Sequence, residues 1–134
     1  EAIEAVDELA AALSDPAPKV RYRSAKALSK IGIGASAAAA ELAQAYDTAD
    51  AETRYYVVKA LANIEDAAAL AVPQLTNALS DENPKTRYYA AKALGKIGKE
   101  ALPAISALQK ASTDSDADVR KAVAQAVSKI QPRS

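Results

Sequence analysis

Five of the six tyrosines in this chain sit directly behind a recurring arginine: Arg21-Tyr22, Arg54-Tyr55-Tyr56 and Arg87-Tyr88-Tyr89. A lysine follows the first ring of each group by four positions, at Lys26, Lys59 and Lys92. A phenol offers a flat, rigid contact surface and one hydroxyl that both donates and accepts hydrogen bonds. An ammonium four residues further along a helix shares its face. That combination suits recognition better than bond-making, because Tyr and Arg are enriched at interfaces. Acid–base chemistry would fall to Tyr and Lys alone, since the chain contains neither His nor Cys. Their absence excludes a disulfide, a thiol nucleophile, a thiolate metal site and zinc chemistry of the usual kind. There is no Gly-rich phosphate loop and no carboxylate pair beside the tyrosines. The sequence therefore predicts no catalytic residue, no metal and no cofactor.

The spacing of these residues identifies the elements that carry them. Arginine recurs at 21, 54, 87 and 120, a constant interval of 33. Around it the register holds: Val20, Thr53, Thr86 and Val119 before it, Ala27, Ala60, Ala93 and Ala126 after it. Leu28, Leu61, Leu94 and Val127 come next, then Ile31, Ile64, Ile97 and Ile130. A fixed period of this length marks a repeat architecture in which each unit buries its apolar face against its neighbours. Ala is by far the commonest residue, with Leu and Lys next, which favours helix throughout.

Each copy reads as two helices. The second, helix B, has Asp50, Asn83 or Asp116 as N-cap, and Pro18 or Pro84 at its first position. Gly32 and Gly98 follow the terminal isoleucines as stop signals. The first helix, A, carries Val6, Leu9 and Leu13, then Leu42 and Tyr46, Leu75 and Leu79, and Ile105 and Leu108 at helical spacing. Pro73 and Pro103 mark its early turns in the last two copies. At 100° per residue, Val20, Ser24, Ala27, Leu28 and Ile31 gather on one side of the first B helix and are the expected core.

The stretch "LSDENPKTRYYAAKALGKIGKEALP" resembles the HEAT repeat, in the short bacterial form related to the HEAT-like repeats of phycobilisome lyases. The family pattern is an acidic turn, a Val-Arg pair (Thr86-Arg87 in this stretch), an alanine-rich stretch, Ala-Leu and Ile-Gly. Asn63 and Glu65 depart from it where glycines are usual, and the last copy carries the longer turn "STDSDAD". The resemblance implies an all-α fold: a right-handed α-α superhelix, or α-solenoid, of four two-helix HEAT-like repeats. They would form one domain over 1–134, divided at about 1–35, 36–68, 69–100 and 101–134. It also implies that Arg21, Arg54, Arg87 and Arg120 form a structural ladder, pairing with turn acids such as Asp15, Asp81 or Asp114.

Opposite the expected core lie Tyr22, Arg23, Lys26, Tyr55, Tyr56, Lys59, Tyr88, Tyr89, Lys92, Lys96 and Lys121. In the architecture the resemblance implies, that side of helix B lines the concave surface. Net charge is zero, yet no acid occurs in 20–31, 53–64, 86–97 or 119–130. Helix-dipole preference accounts for Lys96 near a helix end but not for Lys26, Lys59 and Lys92 in mid-helix. The leading expectation is a non-catalytic scaffold that grips an acidic or mixed protein segment. Nucleic-acid binding through the same basic, aromatic groove is the alternative, with HEAT-like DNA glycosylases as precedent for the fold. A bilin-lyase-like, chromophore-handling role ranks third, and HEAT-type metal hydroxylases are set aside because they use His–Glu pairs. No apolar run approaches the length needed to span a bilayer. The alanine-rich first helix, and Ala122 or Ala124 on the last, leave end-on self-association or membership of a longer array open. The chain starts at Glu1 with no signal-peptide pattern, so a processed form or an excised fragment is expected, and its compartment is open.

Overall fold

The architecture was obtained as a computed structural model that describes residues 2–132. Within them the chain forms α1 (Ala2–Ala12), α2 (Pro18–Ile31), α3 (Ala39–Tyr46) and α4 (Ala51–Asn63). It continues through α5 (Val72–Ala78), α6 (Pro84–Ile97), α7 (Ile105–Lys110) and α8 (Ala117–Ile130). No strand occurs among the described residues. The fold is an all-helical solenoid. Helices α2, α4, α6 and α8 lie side by side, each packed on the next, and the shorter helices cover their other side.

The local chemistry explains the long helices. Asp50 accepts the Thr53 N–H, Asn83 accepts that of Lys85, and Asp116 accepts those of Asp118 and Val119. Ala17 cannot cap α2; instead the Asp15 side chain accepts the Ala17 N–H at 2.8 Å and shapes the turn ahead of it. Gly32 and Gly98 end α2 and α6 with φ of 75° and 77°, where an L side chain is strained. Glu65 takes the same role after α4 at φ 56°.

The A elements differ from single α-helices. Seven-residue 3-10 stretches, Gly32–Ala38, Glu65–Ala71 and Gly98–Ala104, precede α3, α5 and α7. Pro73 lies in the first turn of α5, while Pro103 lies inside the 3-10 stretch before α7. Alanines at 35, 38, 68, 71, 101 and 104 are buried on these stretches, where larger side chains would hold the layers apart.

Leu28, Leu61, Leu94, Leu42, Leu75 and Leu108 are fully buried between the two helix layers. Ser24, Val57, Ala90 and Val123 complete that stripe. Part of the expected core is not core: Val20 and Ile31 are 37% and 38% exposed, whereas Ile64, Ile97 and Ile130 are 1%, 6% and 3% exposed. The cause is positional. This side of each B helix packs on the preceding B helix, and among the described residues α2 has only α1, an A helix, ahead of it. At the other end Ala122 is buried and Ala124 is exposed.

Thr86 tests this packing. It is fully buried between α4 and α6, and its hydroxyl has no hydrogen-bond partner. Equivalent positions elsewhere carry Val20 and Val119. Thr86→Val should raise stability by about 1 kcal/mol by removing an unsatisfied buried hydroxyl. Urea denaturation measures it, and a loss of stability would show that the hydroxyl is engaged.

Candidate functional site

The tyrosines behind the arginines form one continuous aromatic chain across three helices. Tyr22 of α2 meets Tyr56 of α4 edge to face, with ring centroids 5.5 Å apart and planes at 81°. Tyr56 meets Tyr55 at 4.9 Å, and Tyr55 reaches across to Tyr89 of α6 at 6.0 Å. Tyr89 meets Tyr88 at 5.1 Å, where the chain of rings ends. Each contact is T-shaped, placing the positive edge of one ring on the negative face of the next. Tyr56, Tyr88 and Tyr89 also pack against the core, so these rings are half-buried side chains and not free surface groups. The hydroxyl of Tyr56 beside Tyr22 raises the Tyr22 phenol above its ordinary pKa, with smaller contributions from desolvation and from Glu52.

The mid-helix lysines lie over these rings. Lys26 Nζ stands 6.0 Å from the Tyr22 centroid and 5.8 Å from that of Tyr56. Lys59 Nζ repeats this with Tyr55 at 5.8 Å and Tyr89 at 5.7 Å. Lys92 Nζ stands 5.7 Å from Tyr88. These are cation–π distances. An i, i+4 spacing sets a lysine over the tyrosine of its own helix, and close helix stacking brings in the second ring.

Beyond Tyr88 the face opens into a groove of about 760 Å³ between α6 and α8. Tyr88, Lys92, Lys96 and Lys121, all read as site residues from the sequence, line it together. Lys85, Gln125 and Lys129 also line it, as do Asp116 and Asp118 near the start of α8. Lys85, Lys129 and Asp118 are not among the site residues expected from the sequence, and Asp116 is expected there only as an N-cap; the one available signal is the i, i+4, i+8 spacing that puts Lys129 on the face of Lys121 and Gln125. Arg23 is exposed on α2 and belongs to none of the Lys–Tyr clusters. Lys96 has a second role: its Nζ donates to the Ala62 carbonyl at 3.4 Å, as Asn63 Nδ2 does to the Ser29 carbonyl at 2.8 Å.

The arginines do not enter the groove. Each donates through Nη1 to a carbonyl of its own turn: Arg21 to Asp15, Arg54 to Ala49, Arg87 to Asp81 and Arg120 to Asp114. Two also bond the acid of the following copy. Arg54 Nε donates to Asp81 at 3.0 Å, and Arg87 grips Asp114 with Nε at 2.8 Å and Nη2 at 3.1 Å. Thr48 stands where Arg21 would find such an acid, one period before Asp81.

The family described as HEAT repeats matches residues 39–128. The chain belongs to the HEAT-repeat family. No curated protein matches it. Among solved structures, an engineered protein is similar with 26% identity and a TM-score of 0.78, over 93% of this chain and 62% of its own. A second engineered protein shares 27% identity at a TM-score of 0.81, over 93% of this chain and 37% of its own. Human deoxyhypusine hydroxylase, solved in complex with glycerol, shares 33% identity at a TM-score of 0.66, over 96% of this chain and 44% of its own. The chain thus spans less than two thirds of each of these structures. They share the repeat framework with it, and that framework is compatible with a protein-interaction role.

The Arg87–Asp114 pair carries a pH signature. Burial alone would raise the Asp114 carboxyl. Hydrogen bonds from Arg87 and the Asp116 N–H, with the charges of Arg87 and Arg120, outweigh it and hold the group below the usual carboxylate range. A carboxylate depressed in the folded state adds stability that is present above the unfolded pKa of about 3.9 and lost as pH falls through the folded value. Asp114→Asn should cost about 2 kcal/mol at neutral pH, and the gap to the parent should close as pH drops below ~4. Denaturation curves across this range measure it, and a gap independent of pH would contradict the assignment.

Proposed function

We propose that the tyrosine- and lysine-lined face of α2, α4 and α6, with the groove that continues it onto α8, is the binding surface of a non-catalytic scaffold for an acidic protein segment. The observation that carries this reading is the pair of repeated clusters in which one lysine stands over two rings from neighbouring helices, Lys26 with Tyr22 and Tyr56, and Lys59 with Tyr55 and Tyr89. Rigid aromatic anchors supply contact area at low entropic cost, and the lysines steer an acidic partner in. In the architecture expected of these repeats the face is concave, so a segment laid along it contacts several helices at once. Five lysines against two aspartates around the groove favour a negatively charged partner. The same balance supports single-stranded nucleic acid as the second reading, since bases stack on aromatic rings and lysines track phosphates.

A chemical function is outside this proposal. The chain has no His or Cys, and the lysines and phenols on this face are engaged with one another.

Two triple variants separate the readings. Lys26, Lys59 and Lys92 are changed to Gln in one; Tyr22, Tyr55 and Tyr88 are changed to Leu in the other, which retains apolar packing. The probes are a labelled Glu- and Tyr-containing peptide and an oligothymidylate strand. For the peptide the tyrosine variant should lose more affinity, by about 2 kcal/mol or more, while the lysine variant mainly slows association and weakens its salt dependence. If the lysine variant instead dominates on DNA, flattening the slope of log affinity against log salt by ~0.7 per lost contact, the second reading replaces the first. If neither variant alters binding of either probe, the face is not the site.

A further inference from the structure

The aromatic clusters form a series with one incomplete member. In the first, Lys26 covers Tyr22 and, from the next helix, Tyr56. In the second, Lys59 covers Tyr55 and, from the next helix, Tyr89. In the third, Lys92 covers Tyr88 alone. The position on α8 that corresponds to Tyr56 and Tyr89 is Ala122, at the same interval of 33. A methyl group therefore stands where the other two clusters place a phenol. The groove of about 760 Å³ lies at this place, lined by Tyr88, Lys92, Lys121, Ala122 and Gln125. Gly95 brings α6 and α8 together beneath it: a Cβ there would meet the Ala126 Cα at 3.1 Å. The spacing of these two helices is thus set by their seam and does not depend on a ring above it.

The geometry points to a ring-sized slot against Tyr88 that is filled by an aromatic side chain of the bound acidic segment. This inference rests on the reading of the face as a binding surface and adds the residue type that anchors the partner. The incoming ring takes the position that Tyr56 takes on Tyr22, meeting Tyr88 in a T-shaped contact under the Lys92 ammonium. Lys121 occupies the position on α8 that corresponds to Tyr88 and adds a second cation beside the slot. Carboxylates next to the aromatic residue would meet these two ammonium groups. Asp116 and Asp118 lie along the same groove, at α8's N-cap and in its first turn respectively, and disfavour an acid at that end. The partner is therefore an acidic segment with one Tyr or Phe among its carboxylates, not a uniformly acidic one.

The test uses a pair of synthetic peptides, one with a single tyrosine flanked by glutamates and one with alanine in its place. The parent protein should bind the tyrosine peptide about tenfold more tightly, the contribution of a sandwiched ring under a cation. Ala122→Tyr supplies the missing ring from within, so it should abolish that tenfold preference and bind both peptides as the parent binds the alanine peptide. Because Ala122 is buried and its replacement could disturb folding, a measurement on the parent accompanies it: nuclear Overhauser contacts between the peptide ring and Tyr88. Equal binding of both peptides by the parent, or an undiminished preference in a folded Ala122→Tyr, would overturn the slot. If both peptides bind equally yet lose affinity in the Lys26, Lys59 and Lys92 variant, the slot alone falls and the binding face stands. If neither peptide binds the parent, both readings fall.

Discussion

The close approach of neighbouring B helices is the constraint on which the rest of this structure depends. The facing positions are small: Ala25 and Ser29 on α2, Val58 and Ala62 on α4, Ala91 and Gly95 on α6, and all are buried. At Gly95 even a methyl group would press on the backbone of Ala126. Side chains of this size contribute little apolar area each, so cohesion comes from many short contacts at near-crystalline density. The functional consequence is lateral. Only helices this close can bring Tyr22 within edge-to-face distance of Tyr56, 34 residues away in sequence. The aromatic face proposed to bind is a by-product of the seam.

Polar clamps at both ends of the B helices hold the stack in register. Near the N-terminal ends, Arg54 and Arg87 reach the carboxylates of the following copy, Asp81 and Asp114, whose side chains are only 3% and 9% exposed. Near the C-terminal ends, Asn63 and Lys96 donate to last-turn carbonyls of the preceding helix, which have no partner within it. The shielded ion pairs act through geometry more than net energy, since burying charge offsets much of the attraction. Arg21 lacks the acid, so the α2–α4 joint is clamped at one end by the Asn63 bond and, among the described residues, by no such ion pair at the other.

Much of this was legible in the sequence, because a repeat states its own register. The interval of 33 by itself places the B helices, the leucine stripe and the shared face of tyrosines and lysines. What periodicity hides is the difference between copies. Val20 matches the buried Val119 in type, and Ile31 matches the buried Ile64, Ile97 and Ile130, yet both are exposed, because burial there depends on a neighbour and not on the residue. The 3-10 stretches were missed because 3.0 and 3.6 residues per turn are indistinguishable over seven alanine-rich positions. The sequence places the tyrosines opposite the core; helix proximity instead makes them one zigzag partly packed on the core. Ala122 looked like an exposed end residue, and only the neighbouring rings show it as the place of a missing one.

The most direct test of the seam as the origin of the shared aromatic face is a nuclear Overhauser spectrum of the unliganded protein, with the tyrosine ring protons assigned. Contacts between Tyr22 and Tyr56 and between Tyr55 and Tyr89, pairs 34 residues apart, should appear alongside the neighbouring pairs within α4 and α6. Tyr88 should show a ring contact to Tyr89 alone. Contacts confined to sequence neighbours would mean that the helices do not approach as described, and the shared aromatic face would not exist.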